Sequence, residues 1–319
     1  MPKPLVSILI AAYNHERFIE EAVRSLINQT YQNLELIIID DGSQDETYQK
    51  ILKLEPECEK RFVRVDFSSQ KNIGVGLTLN RLIEKTAGEF IFIMASDDVA
   101  KPNVIETLVN FMVAHDDYVL AVGDNEFIDI NSKRIGWDKY SHSANIKKAR
   151  YKTFGSYYRH ARKDFDFLSK NFGTYETLVQ GNYIPNGYLT RASAQKQRKQ
   201  HTSEAPLEDW YMHLQLSKLG KYKYIDEVLF SYRIHGDNTF SKTEKMREMT
   251  LKTRLYEQKS VHQKGMEHLA EIFDKYSVIK KTKFRIGKFV HFYKQIDLTH
   301  KTNILEVLGR QFVLKRKER

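Results

Sequence analysis

Three stretches decide the fold of this chain: VSILIAAYN (residues 6–14), LELIIIDDGS (34–43) and EFIFIMASDD (89–98). Each contains a mostly apolar run and ends in polar or acidic residues. Strands of a buried parallel sheet have this near-continuous apolar composition, and ligands collect where such strands end. The sequence therefore predicts that three polar clusters meet at one edge of a sheet.

Helical periodicity separates the predicted strands, which are residues 5–12, 34–40, 62–67, 89–95 and 118–123. Apolar residues recur at helical spacing in residues 18–27 and again in 79–83, as in helices with one buried face. Alternating strands and helices are typical of an α/β fold with a mostly parallel sheet flanked by helices. Ser43 and Glu46 have the spacing of a capping box, and Pro102 suits the first turn of a helix.

The second half of the chain is less regular. Residues 131–206 are rich in Tyr, Lys and Arg, with a loop predicted at 181–187. A helix is predicted at about 207–219, followed by strands at 222–225 and 228–234. These patterns predict one domain over residues 1–240, with halves 1–130 and 131–240, and then a helical, basic extension over 241–319.

The basic charge is concentrated in the extension. Residues 242–319 contain 20 Lys/Arg and 9 Asp/Glu, whereas the rest of the chain has 31 and 32. No nucleic-acid motif accompanies the charge, so an anionic lipid surface is the expected partner and nucleic acid is not. An apolar stripe at helical spacing supports this expectation, although such a stripe also suits packing on the main domain: Ile304, Leu305, Val307, Leu308, Phe312 and Val313.

Composition restricts the compartment. Hydrophobic residues make up 41% of the chain, which suits a globular core. A single cysteine, Cys58, excludes an intrachain disulfide. The sequence starts without a charged leader and contains no run of about 20 apolar residues, so a cytoplasmic protein that does not cross the membrane is expected.

The motifs together resemble glycosyltransferase family 2, whose members have the GT-A fold. The resemblance rests on residues 6–14, Asp40–Thr47, Asn72-Ile73-Gly74 and Ser96-Asp97-Asp98, in this order and spacing. Glu208-Asp209-Trp210 extends it to about residue 240, and it covers neither the insertion at 131–206 nor the tail. It implies an inverting glycosyltransferase that moves a hexose or N-acetylhexosamine from a UDP-sugar to a hydroxyl of a glycan acceptor.

The resemblance also assigns roles to residues. Asp209 matches the catalytic base, and Asp98 matches the ligand of a Mn²⁺ or Mg²⁺ ion that neutralises the leaving diphosphate. Glu208 and Trp210 are expected near the acceptor. Donor-binding roles fall on eight residues: Ala11, Tyr13, Asp40, Asn72, Gly74, Asp97, Arg233 and His235. Asn80 resembles a further donor-loop position. Ser96 receives no role. Asp41 is as well suited to holding the turn at Gly42-Ser43 as to binding a ligand.

Each of these features has an ordinary explanation when taken alone. Acids after a strand or in the first turn of a helix complement turns and helix dipoles, and aromatic residues most often pack in cores. A nucleotidyltransferase would carry a Gly-rich basic loop after the first strand, and a processive synthase would carry spanning helices and a Gln-x-x-Arg-Trp motif. A non-catalytic sugar-nucleotide-binding module would lack Asp98 or Asp209, and both are present.

The surroundings expected for such an enzyme follow from the same resemblance. The donor is expected to be a UDP-sugar, and the acceptor a glycan carried on a lipid such as undecaprenyl diphosphate. The basic tail would hold the protein peripherally on the inner face of the cytoplasmic membrane, where such an acceptor is presented.

Overall fold

The structure is a computed structural model that describes residues 3–138, 143–161, 166–236, 238, 243–286, 290–296, 300–307 and 310–318. Its strands are β1 Val6–Ala12, β2 Leu34–Asp40, β3 Arg64–Ser69, β4 Phe90–Ile93, β5 Val99–Ala100, β6 Tyr118–Ile128, β7 Arg134–Trp137, β8 Ser143–Asn145, β9 Tyr188–Arg191, β10 Lys221–Arg233, β11 Ile279–Ile286, β12 Val290–Ile296, β13 His300–Val307 and β14 Arg310–Glu318. Its helices are α1 Ile19–Ile27, α2 Thr47–Arg61, α3 Val75–Glu84, α4 Val104–Val113, α5 Phe154–Ala161, α6 Tyr175–Leu178, α7 Ala192–Gln197, α8 Glu208–Leu216, α9 Thr243–Val261 and α10 Glu267–Tyr276.

The central sheet has the strand order β3-β2-β1-β4-β9-β6-β10-β5, with β7 and β8 extending from β6. Strands β3, β2, β1 and β4 run parallel, β9 is antiparallel to both of its neighbours, and β6 is again parallel to β10. The predicted α/β fold with a mostly parallel sheet is confirmed. Because β1 and β2 are in register from Val6↔Leu34 to Ala12↔Asp40, their polar ends lie side by side.

Alternating side chains bury the sheet on both faces. Leu9, Ile37 and Ile91 belong to one apolar cluster, together with α3, α8, α9 and α10. Ile8, Ile38 and Phe92 belong to a second cluster with α1, α2 and α4. Neighbours along a strand point to opposite faces, so each strand contributes to both clusters. This double covering explains why the strands read as continuous apolar runs.

Most predicted elements of the first 234 residues are present, and the details of helix ends differ. The two strands predicted at 222–225 and 228–234 form one strand, β10, with register irregularities between them. The prediction of a capping box formed by Ser43 and Glu46 is wrong. Helix α2 begins at Thr47, and the N–H of Thr47 donates to Asp45 Oδ1 at 3.0 Å. Pro102 precedes α4, which begins at Val104.

Helix α9 is tied to the main body through a buried carboxylate. Glu257 is fully buried and accepts hydrogen bonds from Tyr175 Oη, Gln215 Nε2 and Lys218 Nζ, each at 2.7 Å. Val261 of α9 and Phe273 of α10 lie in the first apolar cluster. The predicted boundary at residue 240 and the predicted start of the tail at Lys242 lie outside the described residues. We propose that the folded body extends through α10.

The end of the chain differs from the predicted helical extension. Residues 243–276 are helical, but β11 to β14 form a separate four-stranded antiparallel sheet in that order. The apolar stripe predicted for one helix is divided between β13 and β14, and Leu308 lies outside the described residues. Ile304 is buried, whereas Phe312 and Val313 are exposed. This region is rich in Val, Ile, Phe, Tyr and Thr, which favour strands.

None of the helices in the described ranges combines the length and the apolar character that a bilayer span requires.

Candidate functional site

The carboxyl ends of β1, β2 and β4 form one edge of the sheet, and most of the predicted site residues lie there. Ala11 is half-buried near the end of β1, opposite Ile39 of β2. Tyr13 follows β1 and its side chain is 45% exposed, so one large aromatic ring faces solvent beside this edge. An exposed ring of this kind can stack on a flat base.

Asp40 ends β2 with one carboxylate oxygen unused. The residue is 2% exposed, and its Oδ2 accepts hydrogen bonds from Ser43 N at 3.1 Å and Ser69 Oγ at 3.0 Å. Its Oδ1 is buried and has no hydrogen-bond partner among the residues that the structure describes. Buried polar atoms are nearly always paired, so an unpaired carboxylate oxygen at the sheet edge suits a ligand N–H donor.

Asp41 holds the loop before α3. Its two carboxylate oxygens accept hydrogen bonds from Ile73 N at 3.0 Å, Gly74 N at 2.9 Å and Gln70 Nε2 at 2.8 Å. Asp41 therefore shapes the exposed loop of Asn72 and Gly74, and not the turn of Gly42-Ser43, which Asp40 supports.

Glycine is required at two positions around this loop. Gly42 has φ +78°, and a Cβ there would approach the backbone N of Asn72 to 2.8 Å. Gly74 has φ +91° at the N-terminus of α3. Asn80, by contrast, exchanges two hydrogen bonds with the backbone of His201, which makes it an anchor for the segment before α8.

Asp98, the expected metal ligand, is held by contacts within the protein. Asp98 is completely buried, its Oδ1 accepts the N–H of Arg233 at 2.9 Å, and its Oδ2 accepts Asn186 Nδ2 at 3.2 Å. Burial, followed by the charge of Asp97, raises the pKa of the Asp98 carboxyl well above its ordinary value. Asp98 joins the ends of β4, β9 and β10 and presents no surface to a diphosphate.

The neighbouring acid, Asp97, belongs to a group of residues that could hold a metal ion. In the described part of the chain, His15, Asp97 and His235 form a group whose ligand atoms all lie within 4.8 Å of one another. Asp97 Oδ2 is 2.9 Å from His235 Nε2. One carboxylate oxygen and two imidazole nitrogens form a donor set that fits a divalent transition ion.

Arg233 was expected to bind the donor, and its guanidinium forms hydrogen bonds inside the protein. It is 1% exposed and donates to Glu21 Oε2 at 2.6 Å, Asp97 O at 2.6 Å and Ser132 Oγ at 2.9 Å. It also lies over the ring of Phe18, 4.9 Å from the centroid. Arg233 thereby fixes the backbone that carries Asp97.

The predicted base begins α8 and is oriented by a neighbouring loop. Asp209 Oδ2 accepts a 2.8 Å hydrogen bond from Asn182 Nδ2, and its Oδ1 accepts the N–H of Trp210. Burial raises the pKa of Asp209. Burial and the charge of Asp209 raise the pKa of Glu208 to about 8. Neighbouring carboxyls of raised pKa are suited to proton transfer.

One tyrosine connects the acids of the two regions. Burial, and then the charges of Asp98, Asp97 and Asp209, raise the pKa of the Tyr232 hydroxyl. The loop before β9 links the same two regions by contact, because Asn182 donates to Asp209 at the start of α8 and Asn186 donates to Asp98 after β4. Gly76 brings α3 close to the start of α8, because a Cβ there would lie 3.4 Å from Glu208 Cβ.

Trp210 was expected near the acceptor, and its side chain packs inside the protein. Its side chain is 2% exposed, and its Nε1 donates to Leu178 O at 2.8 Å. Arg254 of α9 lies over its ring, 5.8 Å from the centroid. The alternative explanation considered for this residue, core packing, is the one that its contacts support.

Three further residues belong to the site and were not predicted. Asn182 and Asn186 lie in the loop before β9 and orient Asp209 and Asp98, while His15 lies beside Asp97. The sequence 181–187 indicated only a loop. A signal for the asparagines would have required knowing that β9 inserts between β4 and β6, which brings this loop to the sheet edge.

Known proteins share this architecture and sequence pattern. A family model described as "Glycosyl transferase family 2" matches residues 7–172. An uncharacterized glycosyltransferase of Haemophilus influenzae is 31% identical over 242 residues, which are 75% of this chain and 68% of that protein. A chondroitin synthase of Escherichia coli is 30% identical over 240 residues, which are 74% of this chain and 30% of the synthase, so the chain spans less than a third of that relative.

Solved structures extend the likeness to the fold. S. aureus TarS 1-349 in complex with UDP-GlcNAc has a TM-score of 0.56 at 16% identity, over 85% of this chain and 71% of that chain. The mannosyltransferase PcManGT from Pyrobaculum calidifontis in complex with GDP-Man and Mn²⁺ has a TM-score of 0.59 at 12% identity, over 85% and 70%. At these identities the likeness confirms the GT-A fold alone. Together with the family match and the Haemophilus relative, it shows that this chain belongs to glycosyl transferase family 2 and is a glycosyltransferase.

Proposed function

We propose that the protein is an inverting glycosyltransferase that moves a hexose or N-acetylhexosamine from a UDP-sugar to a hydroxyl of a glycan in surface polysaccharide or glycoconjugate synthesis. One observation carries the proposal. A buried, unpaired oxygen of Asp40, a metal-compatible group around Asp97 and the oriented carboxylate of Asp209 flank the same edge of the sheet. Such a transfer needs a group that binds the nucleotide base, a cation beside the leaving diphosphate and a general base for the acceptor hydroxyl.

A uracil base fits the Asp40 side of the edge. The N3–H of uracil is a donor that the unpaired Asp40 Oδ1 can accept, and the exposed ring of Tyr13 offers a stacking face. Gly74 and Asn72 lie on the exposed loop that Asp41 fixes, where the nucleotide would extend. The complex of TarS with UDP-GlcNAc supports this nucleotide, while the complex of PcManGT with GDP-Man makes a GDP-sugar the competing donor.

A Mn²⁺ or Mg²⁺ ion would be held by Asp97 and His235, in place of the Asp98 site expected from the sequence. The bound ion would supply positive charge to the oxygens of the leaving diphosphate. Arg233 supports this arrangement indirectly, since its Nε holds the backbone carbonyl of Asp97. The structure of the mannosyltransferase PcManGT in complex with Mn²⁺ agrees with divalent metal use.

Asp209 serves as the general base. It removes the proton from the acceptor hydroxyl, whose oxygen then bonds to the anomeric carbon on the face opposite the diphosphate. The bond from that carbon to the diphosphate oxygen breaks, and its electron pair leaves with UDP. A single displacement of this kind inverts the anomeric centre, so an α-linked donor gives a β-linked product. Glu208, next to the base, is proposed to contact the acceptor.

The tail is proposed to bring the enzyme to a lipid-linked acceptor, such as one on undecaprenyl diphosphate, at the inner face of the cytoplasmic membrane. In β14, the side chains of Phe312, Val313 and Leu314 are 51%, 64% and 57% exposed. Lys315, Arg316 and Lys317 follow them and are also exposed. Exposed apolar residues beside several cations suit an anionic lipid surface, to which each basic residue contributes about 1 kcal/mol.

Titration of UDP, GDP and CDP in the presence of Mn²⁺, followed by assays for UDP release from UDP-sugars, tests the proposal. We expect UDP to bind best and one UDP-sugar to be consumed only when metal is present. Preferential binding of GDP would replace the proposed donor. Binding of UDP-sugars without turnover on any glycan acceptor would identify a binding module and overturn the proposed transfer.

A further inference from the structure

His15 lies in a turn that is fixed from several directions. Its backbone N–H donates to Thr47 Oγ1 at 2.8 Å, and the preceding Asn14, at φ 51°, donates its own N–H to Ser43 Oγ at 2.9 Å. Asn14 Oδ1 also accepts the N–H of Gln44 at 2.8 Å. The turn after β1 is thereby attached to the segment before α2, and the imidazole of His15 is directed across the sheet edge toward the end of β4.

The imidazole of His15 contacts Ser96, the residue for which the sequence offered no role. His15 Nδ1 and Ser96 Oγ are 2.7 Å apart, and Ser96 is 1% exposed. A histidine that ligates a metal usually engages its other ring nitrogen with a hydrogen-bond partner, which fixes the orientation of the ring. Since Ser96 engages Nδ1, Nε2 is the nitrogen that His15 would offer to an ion.

The two histidines meet at Asp97 from different elements. The ring centroids of His15 and His235 are 5.8 Å apart, with an interplanar angle of 90°. The ring centroid of Phe18 lies 6.0 Å from that of His15 and 5.0 Å from that of His235. Bonds of about 2.0–2.2 Å from one ion to nitrogen and oxygen ligands separate any two ligand atoms by at most about 4.4 Å. The ligand atoms of the three residues lie within 4.8 Å of one another, so side-chain shifts of about an ångström would bring them onto one ion.

We propose that His15 is a third protein ligand of the metal, oriented by Ser96, so that two imidazoles and the Asp97 carboxylate hold the ion. This inference rests on the proposed metal-dependent function and adds to it a residue and a selectivity. Mg²⁺ prefers an octahedron of oxygen ligands, whereas imidazole suits later divalent ions. A site with two imidazole nitrogens therefore selects Mn²⁺ over Mg²⁺.

The experiment measures metal binding by the full-length protein with UDP, without reference to turnover. Mn²⁺ and Mg²⁺ are titrated by calorimetry into wild type, His15→Ala, Ser96→Ala and the control His262→Ala, which removes an exposed histidine that follows α9. Electron spin-echo spectra of bound Mn²⁺ report the number of coordinated imidazole nitrogens.

We expect two coordinated nitrogens in wild type and one in His15→Ala. The Kd for Mn²⁺ should rise at least tenfold in His15→Ala and severalfold in Ser96→Ala, while the Kd for Mg²⁺ changes less and His262→Ala behaves as wild type. UDP affinity measured in EDTA should be unchanged in His15→Ala, because a merely structural role would alter it.

The results that would contradict the inference differ from those that would contradict the proposed function. Unchanged Mn²⁺ affinity in His15→Ala, an unchanged nitrogen count, or equal losses for Mn²⁺ and Mg²⁺ would remove His15 from the ligand set and leave the proposed glycosyl transfer intact. Failure of the wild type with UDP to bind any divalent ion would instead overturn the metal dependence on which both proposals rest.

Discussion

The backbone N–H of Arg233 donates a 2.9 Å hydrogen bond to the completely buried Oδ1 of Asp98, across 135 positions of sequence. The bond joins the end of β10 to the segment after β4, while the Arg233 side chain holds the carbonyl of Asp97. Two adjacent acids thus have different tasks: Asp98 maintains the shape of the edge, and Asp97 presents its carboxylate to the proposed ion.

Separate substitution of the two acids distinguishes these tasks. Asp98→Ala should lower the free energy of unfolding by about 1–3 kcal/mol, because the buried Arg233 N–H and Asn186 amide lose their acceptor. Asp97→Ala should unfold near the wild-type temperature but fail to bind Mn²⁺. Thermal unfolding and Mn²⁺ titration check both. A stable Asp98→Ala variant without metal binding would return the ligand role to Asp98.

Asp209→Asn should retain donor binding and lose transfer. The amide keeps the acceptor oxygen that Asn182 or Trp210 N uses but cannot take a proton, and a general base is worth about 10²–10⁴-fold in kcat. The Kd for UDP, measured by calorimetry, should stay within about twofold of wild type. Glu208→Gln is the matched control and should lose less kcat. Turnover of Asp209→Asn near the wild-type rate would assign the base elsewhere.

Stability should fall as pH rises through the range in which Glu208 titrates. Its pKa in the folded protein, about 8, lies above the ordinary value, so the folded state holds a proton that the unfolded state has released. The free energy of unfolding therefore decreases from about pH 4.5 to pH 8. Glu208→Gln removes this contribution, and its melting temperature should fall less between pH 5 and pH 8.

The exposed Glu204→Gln serves as the control for that measurement. It should follow the wild-type dependence on pH. If Glu208→Gln and the wild type lost the same number of degrees between pH 5 and pH 8, the buried proton would have to be assigned to another group.

Recognition of the uracil base can be tested by changing either the protein or the nucleotide. Asp40→Ala should raise the Kd for UDP about 10- to 100-fold, since a hydrogen bond to a charged group is worth about 1.5–3 kcal/mol. N3-methyl-UDP, which lacks the donor, should bind the wild type with a similar loss and should bind Asp40→Ala about as well as UDP does. A wild type that bound both nucleotides equally would exclude the Asp40 contact.

Attachment to lipid should depend on the charges of β14. Lys315→Glu combined with Lys317→Glu should reduce sedimentation with vesicles of phosphatidylglycerol and phosphatidylcholine at low salt, because two attractive charges become repulsive. The matched control, Lys53→Glu with Lys60→Glu, changes two exposed residues of α2 by the same charge. Equal binding by the two double variants, or no binding by the wild type, would contradict membrane docking.

The sheet was predictable because local patterns determine it. Runs such as residues 34–40 end in acids, and parallel pairing places Ala12 beside Asp40 without further information. The roles of Arg233 and Trp210 were not predictable, because they depend on partners distant in sequence. Glu21 lies 212 positions from Arg233, and Leu178 lies 32 positions from Trp210. A charged or aromatic residue beside a motif carries no local sign of whether it faces a ligand or the core.

The tail shows a different limit. Ile304, Leu305, Phe312 and Val313 fit helical spacing, but two neighbouring strands present the same residues as cross-strand pairs, Ile304↔Val313 and Leu305↔Phe312. Gly309 lies between the two runs in the sequence and was the available sign of a connection between strands. Periodicity alone cannot separate the two arrangements over so short a stretch.

The buried Glu257 limits where the chain can be truncated without exposing its interior. Tyr175, Gln215 and Lys218 all direct polar groups at this carboxylate, so a fragment ending at residue 240 would leave an ammonium group and the apolar surface of α8 without their cover. We expect such a fragment to aggregate. Exchange of the tail between relatives would have to place the junction after Tyr276. The four-stranded segment would then be exchanged, while α9 and α10 would stay with the main body.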